Sequence, residues 1–290
     1  MTTERVEVRK TYKLFIGGGF PRSESGRSYQ VKDSKNRFLA NAAMGSRKDA
    51  RDAVRAARAA YEKWSKATAY NRGQILYRIA EMMEGRKDQF IFEVMASEGC
   101  TKQAASKTVD AAIDRWVWYA GWSDKYATVA CSTNPVAGPY YNFSTPIAIG
   151  VVAVVAPAKS SLLGLVSVIA PSIVMGATAV VVASEKRPLP AITLSEAIAT
   201  SDLPGGVINI LTGSCGEITP WLASHGDVNG LDLTGVTDTS LAVELTQSAA
   251  GTIKRVFPRQ TPEPDWFADP GLTRLDFFTE VRTVWHPIGV

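Results

Sequence analysis

Apolar residues recur at helical spacing through the first part of the chain. After Ser46, apolar side chains return every three or four positions with arginine and lysine between them, as at Ala50, Val54, Ala57, Tyr61 and Trp64. Ser46 and Asp49 have the form of a capping box, which predicts that a helix begins here. Further helices are predicted over residues 71–84, 88–97 and 104–125, after short extended segments near 14–21 and 28–43.

The pattern changes near residue 150, where short apolar runs begin to alternate with helical segments. Strands are predicted at 151–156, 179–183, 207–211, 230–233 and 253–257. Helices are predicted between them at 162–175, 190–200, 218–224 and 240–252. Alternating strands and helices indicate an α/β fold with a doubly wound parallel sheet, in which ligands lie at the carboxyl ends of the strands.

Residues 160–184 carry no charge and are long enough to imitate a membrane span. Pro171 and Gly176 interrupt this stretch, and residues 179–183 are rich in valine. Two buried strands with a helix between them therefore explain the segment better than a span, and no membrane contact is expected.

Composition and charge narrow the function classes. The chain has 290 residues, of which 46% are hydrophobic and 21% charged, and its net charge is only +4. Basic residues alternate with acidic ones, so no positive stripe is available to follow a nucleic-acid backbone. The cysteines Cys100, Cys131 and Cys215 make no disulfide framework or metal-ligand spacing. The first ten residues are polar without an apolar stretch, which predicts a cytoplasmic protein.

The strand–helix alternation stops after Phe257. Prolines at 258, 262 and 264 predict a linker over 258–274, and alternation within 280–285 predicts an edge strand in a tail over 275–290. An earlier break at 134–139, followed by extended segments at 140–144 and 147–156, predicts a hairpin over 134–149. The remaining residues, 1–133 and 150–257, form one predicted domain.

Several phrases of the sequence, taken in order, resemble the aldehyde dehydrogenase superfamily. They are Phe15-Ile16-Gly17-Gly18, residues 55–64, Tyr-Ala-Gly-Trp-Ser-Asp-Lys at 119–125, Asp-Leu-Pro-Gly-Gly-Val-Ile-Asn at 202–209, Thr234-Gly235 and Lys254-Arg255-Val256. The resemblance covers residues 11–257 and resumes at 278–290. It implies a Rossmann-type domain for NAD, and subunit contacts made by the hairpin and the tail. The residues that it assigns to these contacts are Gly138, Pro139, Tyr140, Asn142, Val281, Thr283 and Trp285.

Departures from the family pattern affect the catalytic groups. The family uses a cysteine nucleophile, a glutamate base and an asparagine that stabilises the oxyanion. Lys159 stands where the resemblance places the asparagine, and Arg259 stands where it places the glutamate. A guanidinium stays protonated and cannot act as a base. The domain that carries the nucleophile is expected just beyond Phe257, where the linker follows instead, so no catalytic residue is assigned.

The cofactor-binding pattern is incomplete as well. The resemblance assigns the cofactor to Glu185, Gly213, Gly216, Thr234 and Gly235, and a glycine turn at a helix start can receive phosphate. However, Val182 replaces the family's ribose-binding lysine, and Val236 replaces a serine that faces phosphate. We therefore expect NAD binding to be weak or absent.

These observations favour a pseudoenzyme, a non-catalytic structural or regulatory subunit of a hetero-oligomeric aldehyde dehydrogenase. The tail strand is expected to find no sheet edge within its own chain, so that a full-length partner subunit supplies one by strand addition. One rival is an NAD-dependent aldehyde oxidoreductase whose displaced nucleophile is Cys215, since a helix start can lower a thiol pKa. The other rival is an NAD-binding scaffold without chemistry.

Overall fold

Three short strands open the part of the chain that this computed structural model describes, residues 10–289. They are β1 (Thr11–Tyr12), β2 (Ser28–Lys32) and β3 (Phe38–Ala43), with β3 in the middle. The extended segment predicted at 28–43 is thus a hairpin of two strands, turned at Asp33, whose carboxylate accepts the backbone N–H groups of Lys35 and Arg37. Phe15 then exchanges two backbone hydrogen bonds with Ile210, which ties this segment to the central sheet.

Five helices follow the small sheet. They are α1 (Arg47–Lys66), α2 (Ala69–Glu84), α3 (Lys87–Glu98), α4 (Lys102–Ala120) and α5 (Lys125–Ala130). The capping box is confirmed, because the Ser46 hydroxyl accepts the Asp49 N–H while the Asp49 carboxylate accepts the Ser46 N–H at 2.8 Å. The helix predicted to reach residue 125 ends at Ala120 instead, where the Ser123 hydroxyl donates to the Ala120 carbonyl.

A parallel sheet forms the centre of the fold. After β4 (Ser132–Thr133) and β5 (Tyr140–Ala148) come β6 (Val151–Val155), α6 (Leu163–Ile173), β7 (Thr178–Val182), α7 (Leu189–Ile198), β8 (Ile208–Leu211), α8 (Cys215–Ser224), β9 (Gly230–Asp232), α9 (Thr239–Ala250) and β10 (Arg255–Phe257). The strand order is β10-β9-β6-β7-β8, and all neighbours are parallel. The predicted α/β fold with a doubly wound parallel sheet is therefore confirmed.

The apolar stretch at 160–184 lies in the protein core. All residues of β6, α6 and β7 are buried, and α6 accommodates Pro171 in its interior. None of the helices formed by residues 10–289 combines the length and the apolar character that a bilayer crossing requires.

A third sheet joins the end of the chain to its middle. After α10 (Thr273–Phe277), the strand β11 (Thr279–Pro287) pairs antiparallel with β5 along its whole length, and the sheet order is β11-β5-β4. The expectation that the tail strand finds no edge in its own chain is therefore wrong. The extended segments predicted at 140–144 and 147–156 are divided differently in the structure, since β5 runs through Pro146 to Ala148 and the chain turns at Gly150, where φ is +125°, before β6 begins.

Glu93 on α3 places a carboxyl group inside the core and is 3% exposed. Its Oε1 atom accepts hydrogen bonds of 2.8 Å from the hydroxyls of Tyr12 and Thr193, which lie on β1 and α7. Its Oε2 atom is buried without a hydrogen-bond partner among the described residues. Burial raises the pKa of Glu93 to about 6, so this carboxyl group stays protonated to a higher pH in the folded protein than in the unfolded chain.

The raised pKa of Glu93 predicts a specific pH dependence of stability. The contribution of Glu93 to the free energy of unfolding is fully present below its unfolded-state pKa of about 4.3, and it is lost as the pH rises through about 6. We expect wild type to lose about 1 kcal/mol of stability through this group between pH 5 and pH 7.5, and Glu93→Gln not to show this loss, because the amide carries no charge that burial disfavours. Urea unfolding at pH 5 and pH 7.5 measures this, with Glu81→Gln on the exposed face as control. If Glu93→Gln lost as much stability as wild type between pH 5 and pH 7.5, the raised pKa of Glu93 would be contradicted.

Candidate functional site

The candidate site lies where the strand order of the parallel sheet reverses. The chain proceeds outward from β6 to β7 and β8, then returns to place β9 on the other side of β6. In open α/β sheets, ligands bind in the crevice outside the carboxyl ends of the strands at such a point. Here the crevice lies between the loop after β6, which contains Lys159, and the turn after β9, which contains Thr234 and Gly235.

A buried ion pair occupies the end of β9. The carboxylate of Asp232, which is 0% exposed, contacts the guanidinium of Arg274 on α10. Asp232 also accepts the backbone N–H of Thr234 at 2.9 Å and its hydroxyl, and Arg274 donates to the Thr234 Oγ1 atom at 2.8 Å. The Thr234 hydroxyl, which the sequence predicts as a cofactor contact, therefore already makes hydrogen bonds with Asp232 and Arg274.

The predicted cofactor glycines allow close backbone approaches. A Cβ on Gly235 would lie 1.9 Å from the Ala156 carbonyl oxygen at the end of β6, so this turn requires glycine for packing. Gly213, with φ at +132°, would place a Cβ 2.9 Å from the Gly45 backbone nitrogen. Gly216 lies exposed in the first turn of α8, and Glu185 is exposed after β7. The structure thus places these residues along the carboxyl edge of the sheet, where two of the three glycines have a packing role.

The start of α9 is the position where this fold would present backbone N–H groups to a dinucleotide pyrophosphate. Here the Asp238 carboxylate accepts the N–H groups of Ser240, at 2.8 Å, and Leu241, at 3.5 Å. It satisfies donors that a phosphate would use and adds a negative charge that repels one. The N–H groups of Ser240 and Leu241 at this helix start are therefore already bound by a carboxylate of the chain itself.

The two residues at the family's catalytic positions make structural contacts. The Lys159 backbone N–H donates to the Glu263 carboxylate at 2.8 Å, and the Lys159 side chain points from an exposed loop. The Arg259 guanidinium donates to the Thr237 carbonyl at 3.2 Å and to the Thr261 hydroxyl at 3.4 Å. Neither arrangement provides a base or a set of donors aimed at a reacting carbonyl.

Cys215 occupies the first position of α8, as the rival nucleophile hypothesis requires. Burial nevertheless raises the pKa of its thiol to about 11, and the Thr219 hydroxyl, 4.0 Å from Sγ, lowers it only in part. Desolvation is the largest influence on this thiol, so the pKa is shifted in the direction opposite to the one that the rival hypothesis requires. Across residues 10–289, no three His, Cys, Asp or Glu side chains form a group that could hold a metal ion.

The segment 258–274, predicted as a linker, folds back over the carboxyl edge of the sheet. Trp266 packs against the main core, and its indole N–H donates to Glu263 at 3.3 Å. Arg115 on α4 donates to the backbone carbonyls of Trp266, at 2.7 Å, and Ala268, at 3.1 Å. One feature of the sequence could have indicated that this segment covers the sheet. Asp232 is a lone acidic residue in a buried apolar strand, and a buried carboxylate requires a cation.

The outward edge of β11 forms a second candidate site. The Phe278 carbonyl accepts the Ile149 N–H at 3.4 Å, and the Ile288 N–H donates to the Pro139 carbonyl at 2.9 Å. Because hydrogen-bonded pairs alternate in antiparallel sheets, the even-numbered residues of β11 direct their backbone groups to β5. The odd-numbered residues Val281, Thr283 and Trp285 direct theirs to the opposite edge, which pairs with no strand among residues 10–289.

The side chains predicted for subunit contacts come together on this sheet. The rings of Tyr140 and Trp285 meet edge to face with centroids 5.8 Å apart, and Asn142 lies opposite Trp285 in the register. Val281 is 67% exposed and Trp285 is 59% exposed, while Thr283 shares a hydrogen bond of 2.9 Å with Ser144. Gly138 and Pro139 form the turn before β5. Open backbone groups therefore lie beside exposed apolar side chains.

Comparisons with known proteins agree with this architecture. The model of the aldehyde dehydrogenase family matches residues 20–258. Retinal dehydrogenase 2 of Gallus gallus is 32% identical over 263 residues, which are 88% of this chain and 49% of that protein. The mitochondrial aldehyde dehydrogenase family 2 member B4 of Arabidopsis thaliana is 31% identical over 242 residues, 82% of this chain and 44% of that protein.

Solved structures show the same likeness. HpcC from Thermus thermophilus superposes with a TM-score of 0.79 at 30% identity, over 86% of this chain and 48% of that one. An NAD+ complex of an aldehyde dehydrogenase from Bacillus cereus superposes with a TM-score of 0.80 at 24% identity, over 85% of this chain and 50% of that one. The chain belongs to the aldehyde dehydrogenase family, and it spans about half the length of the curated relatives it matches.

Proposed function

We propose that this chain is a non-catalytic subunit, structural or regulatory, of a hetero-oligomeric aldehyde dehydrogenase. The observation that carries the proposal is the outward edge of β11, where Val281, Thr283 and Trp285 present backbone donors and acceptors beside apolar side chains. Such an edge is a template for strand addition by another polypeptide. This chain corresponds to about half the length of its relatives, and a full-length aldehyde dehydrogenase subunit would supply the other half to the complex.

The crevice at β6 and β9 supports a role without catalysis. Acyl chemistry by a covalent intermediate needs an activated nucleophile and a base. Cys215, the nucleophile of the rival oxidoreductase hypothesis, is held as a neutral thiol, and Arg259 stands at the base position. The Glu263 and Trp266 side chains lie across the loop that contains Lys159.

Weak or absent NAD binding is part of the same proposal. The Asp238 carboxylate caps the helix start that would receive the pyrophosphate, and Thr234 is engaged by Asp232 and Arg274. A partner subunit would then carry both the cofactor and the chemistry. The same features argue against the scaffold hypothesis, in which this chain alone binds NAD.

Co-expression tests the proposal. We expect a tagged copy of this chain to co-purify with a full-length aldehyde dehydrogenase of the same organism in a mixed complex of fixed stoichiometry, measured by light scattering after gel filtration. The tagged chain alone should form NADH from an aldehyde series no faster than a blank without protein. A lone, stable monomer that oxidises aldehydes would overturn the proposal, as would the absence of any mixed complex.

A further inference from the structure

The open part of the β11 edge has a definite boundary at each end. At the amino end, the Thr279 carbonyl accepts from the Arg255 guanidinium of β10, so its acceptor is already used. At the carboxyl end, Pro287 has no backbone N–H to donate. Between these limits, the odd-numbered residues direct their N–H and C=O groups outward, where no strand formed by residues 10–289 pairs with them. These residues are Val281, Thr283 and Trp285.

This open stretch is complementary to itself, because Thr283 lies at its midpoint. When a second copy of the strand runs antiparallel with Thr283 opposite its own counterpart, Val281 of each copy lies opposite Trp285 of the other. Each of these pairs can exchange two N–H to C=O hydrogen bonds, as in an antiparallel sheet. At the ends, Pro287 of one copy lies opposite Thr279 of the other. The missing N–H of proline thus meets a carbonyl that is already satisfied within its own chain.

The two neighbouring registers do not match in this way. A register centred on Arg282 places that guanidinium directly opposite its own counterpart, and like charges in this position destabilise a sheet. A register centred on Val284 places Val281 opposite Pro287, whose missing N–H leaves the Val281 carbonyl without a donor. Backbone groups and charges therefore both favour the register centred on Thr283.

The side chains on the two faces of β11 agree with the same register. Val281 and Trp285 are each more than half exposed, and the register places them side by side as a β-branched and an aromatic residue of facing strands. On the other face, Glu280 lies opposite His286 of the second copy, and Arg282 lies opposite an apolar residue. Apolar surface is therefore covered on one face, and no like charges are directly opposed on the other.

We propose that the free chain forms a symmetric dimer in which two β11 strands pair antiparallel about Thr283. The pairing joins the two three-stranded sheets into one continuous sheet, and it covers both open β11 edges at once. The inference rests on the same edge as the proposed function and adds a regulatory step to it. A full-length partner subunit has to replace the second copy, so the homodimer keeps the edge covered until that partner is present.

Analytical ultracentrifugation of the isolated chain tests the dimer. We expect a transition from monomer to dimer as the concentration rises over about 1–100 μM. Thr283→Lys and Thr283→Glu should each weaken dimerisation by about tenfold or more, because each places two like charges opposite each other on the symmetry axis. An equimolar mixture of the two variants should restore the dimer, since lysine then lies opposite glutamate. Gln103→Lys adds the same charge at an exposed position of α4 and should leave dimerisation unchanged.

Cysteine crosslinking tests the register. The background variant is Cys131→Ser, which removes the exposed native cysteine. In this background, Thr283→Cys should form a disulfide between copies on mild oxidation, because facing Cα atoms in such a pair lie about 5.5 Å apart. Val281→Cys should not, because its counterpart lies four residues further along the strand, more than about 13 Å away.

Three outcomes would overturn the proposal. They are a chain that stays monomeric at the highest concentration, a dimer that Thr283→Lys does not weaken, and a disulfide that forms as readily at Val281→Cys as at Thr283→Cys. The melting temperature of each variant in dilute solution should stay within about 3 °C of wild type, which separates a lost interface from a lost fold. Co-expression with a full-length subunit is a separate measurement, so the homodimer and the proposed function can fail independently.

Discussion

Replacement of Arg274 by methionine is expected to lower the free energy of unfolding by about 3–5 kcal/mol, the typical effect of breaking a buried ion pair from one side. Asp232 is fully buried at the end of β9 and would keep its charge or take up a proton without its cation. Arg274 also donates to Thr234 and lies over the Phe257 ring at 4.2 Å, so methionine removes these contacts too. Chemical denaturation at pH 7 measures the loss.

Two controls identify the buried charge as the cause. The double variant Asp232→Leu with Arg274→Met should recover much of the lost stability, because no unpaired charge remains. Arg78→Ala, which breaks an exposed pair with Glu81, should cost less than about 1 kcal/mol. A loss below about 1 kcal/mol for Arg274→Met alone would show that α10 is not held by this pair.

Most of the central fold could be predicted because its determinants are local. Apolar runs at residues 151–155, 178–182 and 208–211 are short, rich in valine and isoleucine, and separated by helical segments, which is sufficient to indicate buried parallel strands. The capping box at Ser46 likewise lies within four residues of chain. Helix ends were predicted less well, as at Ala120, where the stop depends on a turn that α4 makes with Ser123.

The closure of the crevice by segment 258–274 could not be predicted from local pattern. Its prolines indicate only that neither helix nor central strand forms. The contacts that hold it, from Arg115 to the carbonyls of Trp266 and Ala268, join residues about 150 positions apart. The spacing of apolar residues carries no information about contacts between residues so far apart in the chain. The lone Asp232 in an apolar strand, by contrast, indicates on chemical grounds that a cation, here Arg274, lies beside it.

The partner of the tail strand was predicted wrongly for a related reason. Alternation at 280–285 identified an edge strand, but the choice of β5 depends on the register of Thr279 against Ala148, set by the whole fold between them. The pairing also changes the argument about assembly, because one edge of β11 is satisfied within the chain. The remaining open edge has a definite set of backbone groups, at Val281, Thr283 and Trp285, which makes the strand-addition hypothesis more specific.

Val281→Pro is expected to weaken the mixed complex with a full-length aldehyde dehydrogenase by about 100-fold, while leaving the isolated chain folded. Proline removes an N–H that points away from β5 and places its ring on the edge where a partner strand would lie. The variant loses a backbone hydrogen bond to the partner strand and also blocks that strand sterically, so its affinity for the partner should fall more than if only a side-chain contact were removed. Association of purified subunits, measured by interferometry or analytical ultracentrifugation, gives the ratio of dissociation constants.

Arg282→Pro is the matched variant, one residue further along the same strand. Its N–H lies in a hydrogen-bonded pair with Thr145 of β5, so its removal should separate β11 from its own sheet and lower the melting temperature of the isolated chain. Val281→Pro should leave that melting temperature within about 2 °C of wild type, since a solvent-facing edge position tolerates proline. If Val281→Pro forms the mixed complex with wild-type affinity, the partner does not add a strand to β11, and the subunits must contact each other elsewhere.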